Sequence, residues 1–223
     1  MAQDMRFTET GLKFDLICDG HSAAVASPLL GRVNVSNLLA AGAVLLASGE
    51  ARDAVARALS VCGTVPGRME AFRNKTSPLV IVDYAHTPQA LGQALMSARA
   101  HTRGKLWCVF GCGGERDAGK RPLMGQTAVA VADRIILTDD NPRSESPEEI
   151  VAQILAGTGS SANVEVSHGR AEAIARAVRE AGSDDVVLVA GKGHETDQQY
   201  GSVRRHFSDR ECVAELLGLE PRP

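Results

Sequence analysis

Residues 105–121 read KLWCVFGCGGERDAGKR, an unbroken apolar run that gives way to glycine and charge. Short apolar runs bounded by turn residues are how strands buried on both faces appear in sequence. The same text recurs on either side, at LVIV (79–82), RIILT (134–138), NVEVS (163–167) and DVVLVA (185–190), every 22 to 29 residues. Helical patterns fill the gaps. Leu91, Ala94, Leu95 and Ala98 share one face behind Pro88, a favoured first-turn residue. Ile150, Val151, Ile154 and Leu155 share another, with Ser146 as N-cap, Pro147 at N1 and Gly157 beyond the end. Ile174, Val178 and Ala181 form a third, closed by Gly182, and Ser208-x-x-Glu211 is a capping box opening a last helix that should bury Val213, Leu216 and Leu217. Strands alternating with helices predict βαβ crossovers. The expected fold is therefore α/β: a Rossmann-like, mostly parallel sheet with helices on both faces, over residues 70–223.

Upstream the pattern changes. Residues 1–30 read as irregular, with weak strand alternation over 12–18, a turn at Asp19-Gly20 and room for a second short strand. Residues 34–48 and 51–61 read as helices, the first Ala/Leu-rich and expected to be buried. Gly63, Pro66 and Gly67 suggest a linker and a boundary near residue 70. Residues 1–69 thus look like the tail of a different domain, with too little material to close a core alone.

Composition excludes several classes. A net charge of −3 and 4% aromatic residues argue against nucleic-acid binding, which needs a basic face or stacking rings. The longest apolar stretch, 38–47, is too short to span a bilayer, and the first ten residues lack the pattern of a secretory signal. Five scattered cysteines without C-x-x-C spacing suit a reducing cytosol better than a disulfide framework or a structural zinc site. The expectation is a cytoplasmic protein with no metal site of its own.

Parallel strands gather their C-terminal ends on one edge, where ligands bind. The segments expected there are DYAHTP (83–88), GCGGERDAGKR (111–121), DDNPR (139–143) and GKGHE (191–195), each rich in charge or glycine. Gly114-x4-Gly119-Lys120 imitates a P-loop, but Arg121 stands where Ser or Thr should hold magnesium. With Arg116, Lys120 and Arg121 on flexible glycines, that loop could still embrace an anion. In DDNPR, Arg143 offers a fork for a carboxylate, while Asp140 and Asn141 can take an ammonium. Gly191 and Gly193 allow close backbone approach, and Glu195 adds a second acid. His194 alone reads as structural or solvent-facing.

The run GRVNVSNLLAA, PGRMEAF, VDYAHTP, VFGCGGERDAGKRPLMG, TDDNPR, VLVAGKGHE and FSDRE, in that order over residues 25–223, resembles the Mur ligases of peptidoglycan synthesis. The DNPR and GKGHE pair resembles the members that add meso-diaminopimelate to UDP-MurNAc-L-Ala-D-Glu. The resemblance implies a three-domain, ATP-dependent ligase, with Mg2+ and a carbamylated lysine in its central domain. It also implies an acyl phosphate, attacked by an amine to give a tetrahedral intermediate. It implies that Arg116, Asp140, Asn141, Pro142, Arg143, Gly191 and Glu195 bind diaminopimelate, and that Asn37, Arg68, Asp83 and His86 face ATP. Residues 1–69 would be the C-terminal remnant of the central ATPase domain. The P-loop, the carbamylated-lysine segment and the UDP-binding domain are not found in these residues, so the chain reads as a fragment, expected to be inactive alone. Alternatives are a lysine-adding or other Mur ligase, a folylpolyglutamate synthetase, which fits DNPR and GKGHE less well, and a non-catalytic Rossmann-like binding module.

Overall fold

The structure is a computed structural model and describes residues 1–220. The chain forms two compact units, Met1–Val65 and Pro66–Pro223. The change from one to the other falls within the Gly63, Pro66, Gly67 cluster.

In the first unit, β1 (Ala2–Thr8), β2 (Gly11–Cys18) and β3 (His21–Ser27) form an antiparallel meander. Cys18 pairs with His21 across Asp19-Gly20, and both turn residues have positive φ, 49° and 74°, as a tight hairpin requires. Leu12, Phe14 and Leu16 alternate inward from β2 and meet Val25, Leu29, Val35, Leu38, Val55 and Leu59. The last four come from α1 (Arg32–Ala47) and α2 (Arg52–Ser60). Residues 1–30 are therefore a sheet rather than irregular chain, and the unit closes a small core of its own. Sequence reading missed β1 because AQDMRFT has no apolar alternation; its order comes from backbone pairing with β2. The expectation of a buried first helix also fails. Only Val35, Leu38 and Gly42 of α1 are buried, while Val33 and Val44 stand exposed.

The second unit holds β4 (Glu70–Phe72), β5 (Leu79–Asp83), α3 (Pro88–Arg99), β6 (Leu106–Phe110), α4 (Lys120–Val131), β7 (Arg134–Leu137), α5 (Pro147–Leu155), β8 (Val164–Val166), α6 (Arg170–Glu180), β9 (Val186–Ala190), β10 (Asp197–Tyr200), β11 (Val203–His206) and α7 (Asp209–Leu216). The main sheet has the order β4-β5-β9-β6-β7-β8, with β4 antiparallel at one edge and the rest parallel. All five residues of β6 and of β9 are buried, which explains their continuous apolar text. Alternate residues Val80, Val82, Val109, Ile136, Val187 and Val189 pack with Ala173, Ile174 and Ala177 of α6 and Val213 of α7. Residues between them point the other way by the period of a strand, toward the layer of α3, α4 and α5. The sheet is thus covered on both faces, as expected. Although last of the parallel strands in sequence, β9 lies between β5 and β6. The order therefore reverses there, and the crevice outside such a reversal is where ligands bind in open α/β sheets.

Three features escaped the sequence. The β10–β11 hairpin is polar, and every residue of β11 is exposed. The α4 segment carries Pro122 and Gly125, which weaken its helical text. Leu216, expected in the core, is exposed, while Val213 and Leu217 are buried.

Two glycines in this layer make a paired prediction. A Cβ on Gly125 would lie 2.2 Å from the Ile154 carbonyl oxygen, whereas one on Gly92 would meet only the Thr127 methyl at 3.3 Å. Both substitutions by Ala gain helix propensity, about 1 kcal/mol. Gly92→Ala should leave stability level or raised, and Gly125→Ala should lower it by about 1–3 kcal/mol through overpacking. Urea unfolding midpoints of the two variants check this.

Candidate functional site

Four loops leave the C-terminal ends of β5, β6, β7 and β9 and enclose a cavity of about 430 Å3. Arg116, Asp140, Asn141, Arg143, Gly191 and Glu195 all line it. Pro142 is not among its walls. It is buried, and its carbonyl oxygen would lie 1.9 Å from a Cβ on Gly114, so only glycine lets the two loops close.

Asn141 is the hub. Its Nδ2 donates to Glu195 Oε2 at 2.9 Å, and its Oδ1 accepts from the Gln199 amide at 2.9 Å. Its own carbonyl accepts from the Gly114 amide, also at 2.9 Å. The amide orientation is therefore fixed from both ends. Arg143 has a left-handed backbone, φ 54°, uncommon for a residue with a side chain. That conformation is held because its N–H donates to Gln199 and its carbonyl accepts from Gly201, while the guanidinium donates to the Gly114 carbonyl at 2.7 Å. Gly191, φ 118°, leaves the space that the Asp140 carboxylate fills: a Cβ there would sit 2.7 Å from Asp140 Oδ2. Asp140 is 9% exposed, and its carboxylate accepts no hydrogen bond among the described residues. Arg116 is exposed and makes no ion pair among them. The cavity thus presents together a carboxylate and a guanidinium that make no hydrogen bond or ion pair among the described residues, the carboxylate lying in the field of buried Arg170.

Arg121 corrects an expectation. It is fully buried rather than poised on a basic loop, and it donates to Glu145 (2.8 and 3.1 Å), Gln153 (2.7 Å) and the Gly113 carbonyl (3.1 Å). These hydrogen bonds hold the Glu145 carboxyl below its ordinary range. Arg121 therefore staples the Gly111–Gly119 loop to the turn after β7 and is not free for an anion. Lys120 does line the cavity, where it donates to the His86 carbonyl at 2.7 Å.

Sequence reading missed the support beneath the site. Arg170, fully buried, forms a two-point pair with buried Asp209 at 2.7 and 2.8 Å and donates to the carbonyls of Asp139 and Ala190. The Asp139 carboxylate accepts from Tyr200 Oη at 2.9 Å and contacts His168 Nδ1 at 2.8 Å. Burial, then the bond to Asp139, pushes the Tyr200 hydroxyl above its ordinary range. Gln198 donates to the carbonyls of Asp139 and Asp140. The one available signal was that Arg170 and Asp209 each open a helix beside the sheet.

Three of the residues assigned to ATP, Arg68, Asp83 and His86, lie together around Tyr84 at the end of β5, and the fourth, Asn37, belongs to the first unit. Asp83 accepts from the amides of Met69 (2.7 Å) and Ala85 (2.9 Å), and burial raises its carboxyl pKa. Arg68 lies over the Tyr84 ring, 4.4 Å from its centre. His86 bonds the Tyr84 carbonyl through Nδ1 and lines the cavity. Asn37, on exposed α1 in the first unit, donates to Asn34. Among the described residues no three His, Cys, Asp or Glu side chains are grouped to hold a metal ion. Magnesium therefore has no fitted ligand set among the described residues.

Residues 67–193, more than half of the chain, match the model of the Mur ligase glutamate ligase domain. The chain belongs to the Mur ligase family. It is 52% identical to UDP-N-acetylmuramoyl-L-alanyl-D-glutamate–2,6-diaminopimelate ligase of Alkalilimnicola ehrlichii over 94% of its own length and 42% of that protein's. It also resembles a solved structure of a ligase of that name, with 42% identity and TM-score 0.78, over 97% of this chain and 45% of the other. The fold is shared more widely: folylpolyglutamate synthase of Mycobacterium tuberculosis complexed with ADP aligns with TM-score 0.64 at 21% identity, over 85% of this chain and 44% of that one. The chain spans less than half the length of these Mur ligase relatives. No helix among the described residues is long and apolar enough to cross a membrane.

All five cysteines are free. Cys112 lines the cavity, but burial pushes its thiol up to about 12. It should stay protonated and unreactive at pH 8, while exposed Cys62 reacts. Ellman titration of the native chain, with mass mapping of the modified site, checks this; rapid labelling of Cys112 would contradict it.

Proposed function

We propose that this chain is the amino-acid-binding portion of an ATP-dependent ligase that adds meso-diaminopimelate to UDP-MurNAc-L-Ala-D-Glu in peptidoglycan synthesis. The observation that carries this is the convergence of Arg116, Asp140, Asn141, Arg143 and Glu195 on one cavity. Diaminopimelate has an ammonium and a carboxylate at each end, and the cavity offers two acids and two guanidinium groups. Lysine lacks the distal carboxylate, so it would leave one of these guanidinium groups without its anion, a costly mismatch in a partly desolvated site. Pro142 contributes rigidity to the turn, and Gly191 contributes room for the Asp140 carboxylate.

In the complete enzyme, ATP would phosphorylate the D-glutamate carboxylate and release ADP; the amine held in this cavity would then attack the acyl phosphate, and the tetrahedral intermediate would lose a proton from nitrogen and expel phosphate to leave the amide. The residues described here bind and orient that amino acid. Arg68, Asp83 and His86, with Asn37 of the first unit, are the candidates for contact with the nucleotide. Residues 1–69 are read as the end of the central, ATP-binding domain and 70–223 as the amino-acid-binding domain. Magnesium would be held elsewhere in the full ligase. The partners are small molecules, not nucleic acid or membrane, and the setting is the cytoplasm. The diaminopimelate ligase named among the relatives supports the choice of substrate.

Isothermal titration separates the possibilities. Meso-diaminopimelate should bind at least about ten times more tightly than L-lysine, since a charge-assisted hydrogen bond contributes about 1.5–3 kcal/mol. Arg143→Ala should weaken diaminopimelate binding by about 10- to 100-fold on the same scale and change lysine binding little. Equal or tighter binding of lysine would remove the assignment.

A further inference from the structure

We infer that Lys192 is a positioning residue that sets the Glu195 carboxylate for a ligand's ammonium; the inference rests on the amino-acid-binding reading. Lys192 is fully buried, a state lysine adopts almost only when paired. Its ammonium donates to Glu195 Oε2 at 3.2 Å and also bonds the Asp197 carbonyl at the start of β10. Asn141 Nδ2 donates to the same oxygen, Oε2, at 2.9 Å. Both protein donors therefore fall on one oxygen of the carboxylate. Oε1 accepts no hydrogen bond among the described residues, and Glu195 lines the cavity with its side chain about a third exposed. One half of the carboxylate is fixed and the other half is left for a cation.

The contacts close a ring. Lys192 holds Glu195, Glu195 holds Asn141, and Asn141 is held by the Gln199 amide of β10. The first residue of that strand, Asp197, returns to Lys192. The Glu195 amide also donates to the Lys192 carbonyl at 2.9 Å, which folds the two side chains onto the same side of the turn. Without the ammonium, only the Asn141 amide would restrain the carboxylate, and Oε1 would lose its fixed direction. Lys192 has no surface of its own in the cavity, so it acts through Glu195 and does not touch the ligand.

The test uses Lys192→Met, which keeps the length of the buried side chain and removes its charge, beside Glu195→Gln and the double variant. Two readouts are taken on the whole chain. The first needs no ligand: the Asn141 side-chain amide in a 15N-labelled sample, expected to give a dispersed, slowly exchanging pair in the native protein. Lys192→Met should shift or broaden that pair while the amides of β6 and β9 stay in place. The second is calorimetry with meso-diaminopimelate and with pimelate, the same diacid lacking both ammonium groups. Lys192→Met should weaken diaminopimelate binding about tenfold and leave pimelate unchanged, and the double variant should be no weaker than Glu195→Gln. An unmoved Asn141 amide with native affinity for diaminopimelate would overturn the inference. So would equal losses for both ligands, or losses that simply add in the double variant. If the native chain binds neither compound, the amino-acid-binding reading fails; the ligand-free amide signal still decides whether Lys192 fixes the Glu195–Asn141 pair.

Discussion

A guanidinium with no access to solvent lies beneath the site, and the loops above it depend on that ion. Arg170 opens α6, pairs with Asp209 at the start of α7, and reaches the carbonyls at the ends of β7 and β9. Two strands and two helices are thereby joined at one point on the carboxyl edge of the sheet. Such a pair is poor evidence for stability, because desolvating both charges offsets much of their attraction. Its value is geometric. A charge buried without its partner costs about 3–5 kcal/mol, so alternative placements of these chain ends are disfavoured. Asp139 and Ala190, the residues whose carbonyls it holds, immediately precede Asp140 and Gly191.

The cavity continues the same logic at lower burial. Structural charges are paired, as Arg121 is with Glu145, Arg170 with Asp209, and Lys192 with Glu195 Oε2. The Asp140 carboxylate, Glu195 Oε1 and the Arg116 guanidinium remain without hydrogen bonds among the described residues. A zwitterion satisfies such a mixed set, whereas a simple anion would face the two acids. The β10–β11 hairpin completes the cavity from one side, because Gln198 and Gln199 fix the Asp139–Asn141 backbone and the Asn141 side chain.

Much of this was legible in the sequence, for physical reasons. Strands β6 and β9 are buried on both faces and so are written as continuous apolar runs. Helices α3 and α5 are marked by Pro88 in the first turn of one and by Ser146 and Pro147 at the start of the other. The edge loops gather charge and glycine because parallel topology brings them together. What was not legible depends on tertiary pairing. Strand β1 and the β10–β11 hairpin have no apolar period, since β1 is ordered by backbone pairing and β10 by the polar contacts of Gln198 and Gln199. Arg121 and Lys192 look like solvated cations in sequence, because burial of a basic side chain is decided by a carboxylate 3 or more positions away. The exposure of α1 was hidden for the converse reason: Ala- and Leu-rich text gives composition without saying how much of the helix is covered.

The most direct measurement is a 15N chemical-shift map of the chain titrated with meso-diaminopimelate. Saturable shifts confined to residues 111–116, 140–143 and 191–195 are the predicted result. Shifts that leave those three loops unmoved, or that centre on residues 1–65, would contradict the assignment of this cavity to the amino acid.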